Sequence, residues 1–175
     1  QGLAFEMYTS DYDEIYPPTY QWKTRLDPYM KNRELFKCPS RPQLVWYYGH
    51  GYNGGLFDSE TSTGSAVAGF QMRSRAQIAS PSQKILSVEW DRCVSGPPNG
   101  DRAVHRGGSL HSWAVCRIHN DGSNVLFGDA HCKWLKPEQF HSNTENEEDG
   151  TVVPSDAQPV DEDTWRMYWD TAYDG

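Results

Sequence analysis

The chain has 175 residues, enough for one domain with a real core and a short appendage. Its net charge of −8 argues against nucleic acid as a partner, since phosphate binding needs a basic face. No window approaches the roughly 20 apolar residues that cross a bilayer, and no secretory signal is visible. Seven Trp and ten Tyr fit the aromatic-rich composition common among extracellular proteins.

The chain opens at Gln1, without Met and inside a helical pattern, so it reads as a mature or truncated fragment. Leu3, Ala4, Met7 and Tyr8 share the i, i+4 spacing of an amphipathic helix, expected to run to Tyr16. Pro17-Pro18 should stop it, because Pro lacks the N–H and restricts the residue before it. Asp27-Pro28 has the pattern of an N-cap with Pro at N1, which predicts a short helix to about Asn32. Leu44 to Tyr48 reads as a strand of β-branched and aromatic residues, followed by a turn at Tyr52-Asn53-Gly54-Gly55.

Residues 57–69 are small, polar and Gly-rich, the composition of an exposed loop. Lys84 to Trp90 is a convincing strand. The following loop, Arg92 to Leu110, is long for a structureless connection and points to a functional or assembly role. Trp113 to Ile118 is a further candidate strand. Then comes the most informative stretch, Arg117 to Leu135. A polar turn at Asn120-Asp121-Gly122 precedes the apolar run Val125-Leu126-Phe127, and a two-residue Gly128-Asp129 loop leads into Ala130 to Leu135. This predicts a β-hairpin with Gly128 at the position needing φ > 0. On that register Val125, Phe127, Ala130, Cys132 and Trp134 share the core face. Pro137 to Phe140 suits a single helical turn.

After His141 the composition changes. Ser142 to Asp163 holds eight carboxylates and no Lys or Arg, the signature of a linker or partly ordered tail. Trp165, Tyr168, Trp169 and Tyr173 then recur at helical spacing, so the end is expected to fold back as a small aromatic helix. One helix followed by strands gives an α+β class, with a helix on one face of an antiparallel sheet. The expected organisation is a head over 1–141 and an acidic, aromatic extension over 142–175.

The segment His119 to Leu135 resembles the C-terminal signature of the prepilin-type, processing-associated H-X9-DG proteins, whose pattern is similar to H-N-G-G-A-N-V-L-F-A-D-G-H-V-K-W-L. Here His119, Asp121, Gly122, Asn124, Asp129 and His131 occupy motif positions, with Asp121 and Ala130 where the quoted pattern has Gly. The segment Leu26 to Ser40 resembles the family's L-x-P-Y-x-K-N…F-x-C-P-S. Residues 1–16 look like the second half of its long N-terminal helix, with the leader and apolar half-helix absent. The resemblance covers about residues 1–140. It implies a pilin-like structural subunit of a type IV pilus or type II secretion-like pseudopilus, not an enzyme. Such a subunit self-associates and joins other pilin or pseudopilin subunits through the missing helix. It touches a membrane only through that segment, and it is periplasmic or extracellular. A secreted carbohydrate- or surface-binding module and a metal-dependent hydrolase are the alternatives.

Several residue groups carry candidate chemistry. His119, Asp121, Asp129 and His131 are the densest set of metal-ligand types, suited to zinc or another transition metal. The simpler reading is structural, with His119 bonding a carboxylate or carbonyl and Asp129 bonding backbone N–H groups at its turn. No cofactor is certain. Calcium is a candidate because major pseudopilins of type II secretion bind it in C-terminal loops, and Glu145, Glu147, Asp149 and Asp156 form a degenerate calcium loop. A solvated acidic tail is the competing reading. Glu89 and Asp91 flank a strand end and form a weak candidate carboxylate pair for glycoside hydrolysis. Cys38, Cys93, Cys116 and Cys132 are scattered and even in number, which favours disulfides over free buried thiols and either over metal. Trp22, Trp46, Tyr47, Tyr48, Trp90 and Trp113 are core or, if exposed, a stacking platform.

Overall fold

The computed structural model describes residues 1–18, 21–36, 38–39, 50–53, 69–89, 115–116, 119–140, 143–145, 152–154 and 162–174. For 115–116, 143–145, 152–154, 162 and 165 the description is of the backbone alone. Helix α1 spans Gly2–Asp11, α2 spans Trp22–Leu26 and α3 spans Glu162–Trp169. Strands β1 (Gly51–Tyr52), β2 (Ile85–Val88), β4 (Ser123–Phe127) and β5 (Cys132–Leu135) form an antiparallel sheet in the order β1-β2-β4-β5. A second sheet joins β3 (Val115–Cys116), β6 (Asn143–Glu145) and β7 (Val152–Pro154). Within it β3 and β6 run parallel, β6 and β7 antiparallel. The class is α+β, as composition and pattern imply. The strand expected over 44–48 lies outside the described residues.

Helix α1 lies against one face of the four-stranded sheet, but on a different phase from the expected one. Ala4, Phe5 and Tyr8 are buried with Tyr52, Leu86 and Leu126, whereas Leu3 and Met7 are 72% and 44% exposed. The reason is aromatic packing. Phe5 packs against Trp22 (ring centroids 5.7 Å) and Tyr52 (5.5 Å), which are 5.5 Å from each other, and Trp22 meets Phe36 edge-on at 5.5 Å. Rings of this size dominate burial, so the face that carries Phe5 turns inward. The helix also ends five residues before Tyr16. Asp13 and Glu14 adopt positive φ, and the chain then pairs with 72–75 through Tyr16 N–H to Arg73 O (2.9 Å) and Arg75 N–H to Glu14 O (2.8 Å). Tertiary hydrogen bonds, rather than Pro17, set the end.

Near Asp27 the order of elements differs from the capping pattern. The α-helix begins earlier, at Trp22, and Asp27–Tyr29 forms a 3₁₀ turn with Pro28 in its first positions. The sheet's second face is covered as well. Ile85, Val88, Val125, Phe127, Leu135, Phe140 and Trp169 form a second buried cluster. Trp169 donates its indole N–H to Phe140 O at 2.7 Å. The buried Asn53 amide donates to Ile85 O (2.9 Å) and Trp169 O (3.0 Å), tying α3 to the sheet. No helix among the described residues is long and apolar enough to cross a membrane.

Candidate functional site

The site grows from β4 and the turns at its two ends. At the first turn, His119 N–H donates to Gly122 O (3.1 Å) and Gly122 N–H to His119 O (3.2 Å), which closes a two-residue loop. Its central residues, Asn120 and Asp121, have φ of 53° and 62°, the left-handed pair of a type I′ turn. Asn and Asp tolerate that region better than most side chains. Gly122 is required for a different reason. A Cβ there would lie 2.2–2.4 Å from atoms of the Trp134 ring. Trp134 lies across this turn and donates its indole N–H to His119 O at 2.7 Å.

At the second turn the loop has three residues, not two. Ala130 N–H donates to Phe127 O (2.9 Å) and Phe127 N–H to His131 O (2.9 Å). Ala130, not Gly128, carries the positive φ, at 68°. Gly128 serves close approach instead, since a Cβ there would meet the Phe70 ring at 2.8 Å. The extra loop residue shifts the register by one and so exchanges the faces of β5. Asn124 therefore pairs with Trp134, and Leu126 with Cys132. Cys132 and Trp134 are exposed and Leu135 is buried, a correction to the expected core face.

The expected metal group does not converge. Asp121 is exposed, 3.9 Å from the Lys136 ammonium. Asp129 and His131 lie at the opposite end of β4 from His119, about 17 Å away at roughly 3.4 Å per strand residue. Asp129 Oδ1 accepts from the His131 backbone N–H (3.2 Å) and meets His131 Nδ1 at 2.5 Å. The His131 ring stacks on Phe127 with centroids 4.4 Å apart. Burial alone would push the Asp129 carboxyl up. The hydrogen bonds and charge of His131 outweigh it and hold the group below the usual aspartate value.

His119 has other neighbours, 30 and 81 residues away in sequence. Its Nε2 lies 2.7 Å from Glu89 Oε1 and 3.3 Å from Cys38 Sγ. Glu89 directly follows β2, in line with Asn124 across the sheet, and is 3% exposed. Its Oε2 accepts from the Asn124 backbone N–H (2.7 Å) and the Ser123 hydroxyl (3.3 Å), and Oε1 accepts from the Asn124 amide (3.3 Å). A buried carboxylate is tolerable only with such partners. Cys38 is buried, and Asp91, the carboxylate expected to pair with Glu89, lies outside the described residues. Nearby, burial pushes His50 down to about 3, with the charges of Lys23 and His119 acting in the same direction.

A nucleophilic triad would put thiol and carboxylate on opposite nitrogens of the ring. Here both face Nε2, so the carboxylate cannot orient the imidazole toward the thiol. Cys38 and Cys132 are free thiols, against the disulfide expectation at those two positions. The first is buried beside His119 and the second is exposed on β5. Cys93 and the Cys116 side chain lie outside the described residues, as do Asp91, Trp46, Tyr47, Tyr48, Trp90 and Trp113. Trp22 is fully buried and is core. Of the candidate calcium ligands, Glu145 lies on β6 opposite Val152. Glu147, Asp149 and Asp156 lie outside the described residues.

Linear reading marked His119 and, separately, Glu89 and Cys38, but did not join them. The available signal was a carboxylate at the end of a strand, Ile85–Val88, that is buried along its whole length. Comparisons with protein families, with curated proteins and with solved structures found no match.

Proposed function

We propose that this chain is the head of a type IV pilin-like or type II secretion pseudopilin-like subunit, and that it acts by assembly into a filament rather than by catalysis. The reading rests most heavily on α1. One stripe of this helix, Ala4, Phe5 and Tyr8, is buried against an antiparallel sheet, while Leu3 and Met7, one turn apart, stay exposed. A helix with a packed face and an apolar face left over suits a rod that contacts other subunits. The motif resemblance adds to this, since His119 and Asp129 sit at the two turns that bound β4. On this reading the partners are further pilin or pseudopilin subunits. A membrane is met only through an apolar segment ahead of Gln1, and the head works in the periplasm or outside the cell.

The encoding gene gives the first test. An apolar half-helix with a Gly-Phe-Thr-Leu-Ile-Glu-type leader ahead of Gln1 is expected. A cleavable secretory peptide joined directly to Gln1 would overturn the proposal. In cells that process the full precursor, the subunit should appear in sheared surface filaments. Cysteines placed at Leu3 or Met7 should cross-link it to neighbouring subunits.

A further inference from the structure

We propose that Cys38, Glu89 and His119 form a binding site for a divalent transition metal of the zinc class. The observation is convergence. A thiol sulfur, a carboxylate oxygen and an imidazole nitrogen, from segments far apart in sequence, all lie within 4.8 Å of one another. Among the described residues this is the one such group of three. It stands independently of the assembly reading.

Convergence on a single nitrogen is awkward for hydrogen bonding, because one N–H cannot serve both neighbours well. It is natural for a shared ion held by all three ligand atoms. Bond lengths of about 2.3 Å to sulfur and 2.0 Å to nitrogen and oxygen give a tetrahedral ion S···N and N···O spacings of about 3.5 and 3.3 Å. The observed spacings are 3.3 and 2.7 Å. A shift of about half an ångström at Glu89 brings the N···O spacing to its tetrahedral value, and the third spacing, S···O, is within 4.8 Å. Three donors leave a tetrahedral ion one further position.

The donor set also selects the metal. Thiolate and imidazole suit zinc, cobalt or ferrous iron, while calcium and magnesium require oxygen ligands. Thiolate and carboxylate together carry two negative charges, which a divalent cation neutralises in a buried place. The surrounding shell is already built. Asn124 and Ser123 fix the Glu89 carboxylate, and the two hydrogen bonds across the first turn, with that from Trp134, fix the His119 backbone. On binding, the Cys38 thiol proton is released, and His119 coordinates as neutral imidazole with Nε2 unprotonated.

Cobalt(II) titration of the reduced, metal-free chain tests the site. The expected result is one cobalt per chain, with thiolate-to-cobalt charge-transfer absorption, intense tetrahedral d–d bands and displacement by zinc. Cys38→Ser should abolish the charge-transfer band, whereas Cys132→Ser should leave it unchanged. Asn124→Ala, at an exposed position on β4, should weaken affinity by about tenfold through Glu89. No charge-transfer band in the unaltered chain, or a band that survives Cys38→Ser, would overturn the proposal. Should Cys38→Ser fail to fold, Asn124→Ala decides, and unchanged affinity in that variant also overturns it.

Discussion

The two turns that bound β4 solve the same problem of reversing the chain, and they do it with different means. At 119–122 the loop has two residues, both left-handed, and the adjoining glycine admits a tryptophan ring. At 127–131 the loop has three residues, its left-handed position is filled by Ala130, and its glycine admits Phe70. The first turn presents His119 to Glu89 and Cys38, while the second sets register and packing. The three candidate ligands gather at the turn whose backbone is held by side chains from elsewhere. The other turn decides which side chains of β5 are buried.

The largest expected effect comes from the polar end. Glu89→Ala leaves the Asn124 N–H and Ser123 hydroxyl without their acceptor and should cost about 3 kcal/mol in urea denaturation. Stability unchanged within about 0.5 kcal/mol would show that the carboxylate does not hold this turn. Gly128→Ala tests the opposite end. Its Cβ would lie 2.8 Å from the Phe70 ring and 3.0 Å from Pro81 O, where backbone cannot give way. Overpacking of this kind should cost about 2 kcal/mol, read as a lowered denaturation midpoint.

Gly122→Ala should be milder, at about 1.5 kcal/mol, because the partly exposed Trp134 ring can swing out at the expense of its hydrogen bond to His119. Trp134 fluorescence should then shift toward that of a solvated indole, and no shift would mean that the ring does not close the turn. Ala130→Gly should stabilise. A left-handed alanine carries about 1–2 kcal/mol of strain, and glycine's extra chain entropy offsets part of its relief, leaving a gain of about 0.5–1 kcal/mol. A loss of stability would place the left-handed residue elsewhere.

The smallest effect is a pH dependence. The Asp129 carboxyl is held below its ordinary value of 3.8 by His131, so its contribution is present above that value and fades as pH falls through the lower folded value. Denaturation midpoints of the unaltered chain and Asp129→Asn should therefore converge as the pH drops below 3.8. A difference that persists at lower pH would assign the effect to something other than ionisation.

Much of the architecture was legible in local pattern. The apolar run of β2, the hairpin of β4 and β5, the turn at Pro137–Gln139 and the aromatic helix α3 follow from periodicity and turn residues. The phase of α1 was not. Leu3-Ala4-Met7-Tyr8 and Ala4-Phe5-Tyr8 are both acceptable helical stripes, and the choice between them was made by Trp22 and Tyr52, which only the fold places beside Phe5. The second turn misled for a similar reason. Gly128 looks like the residue with positive φ, yet it is needed to admit Phe70.

The sequence alone determined the class, an acidic α+β chain with a helix ahead of its strands and a polar turn at each end of β4. These depend on residues within a few positions of one another, where side-chain periodicity and backbone preference act directly. Tertiary structure decided which helix stripe is buried, which face of β5 meets solvent, and that Glu89 and Cys38 reach His119. Those outcomes depend on ring volumes, loop length and hydrogen bonds between segments as many as 81 residues apart, and no local pattern encodes them.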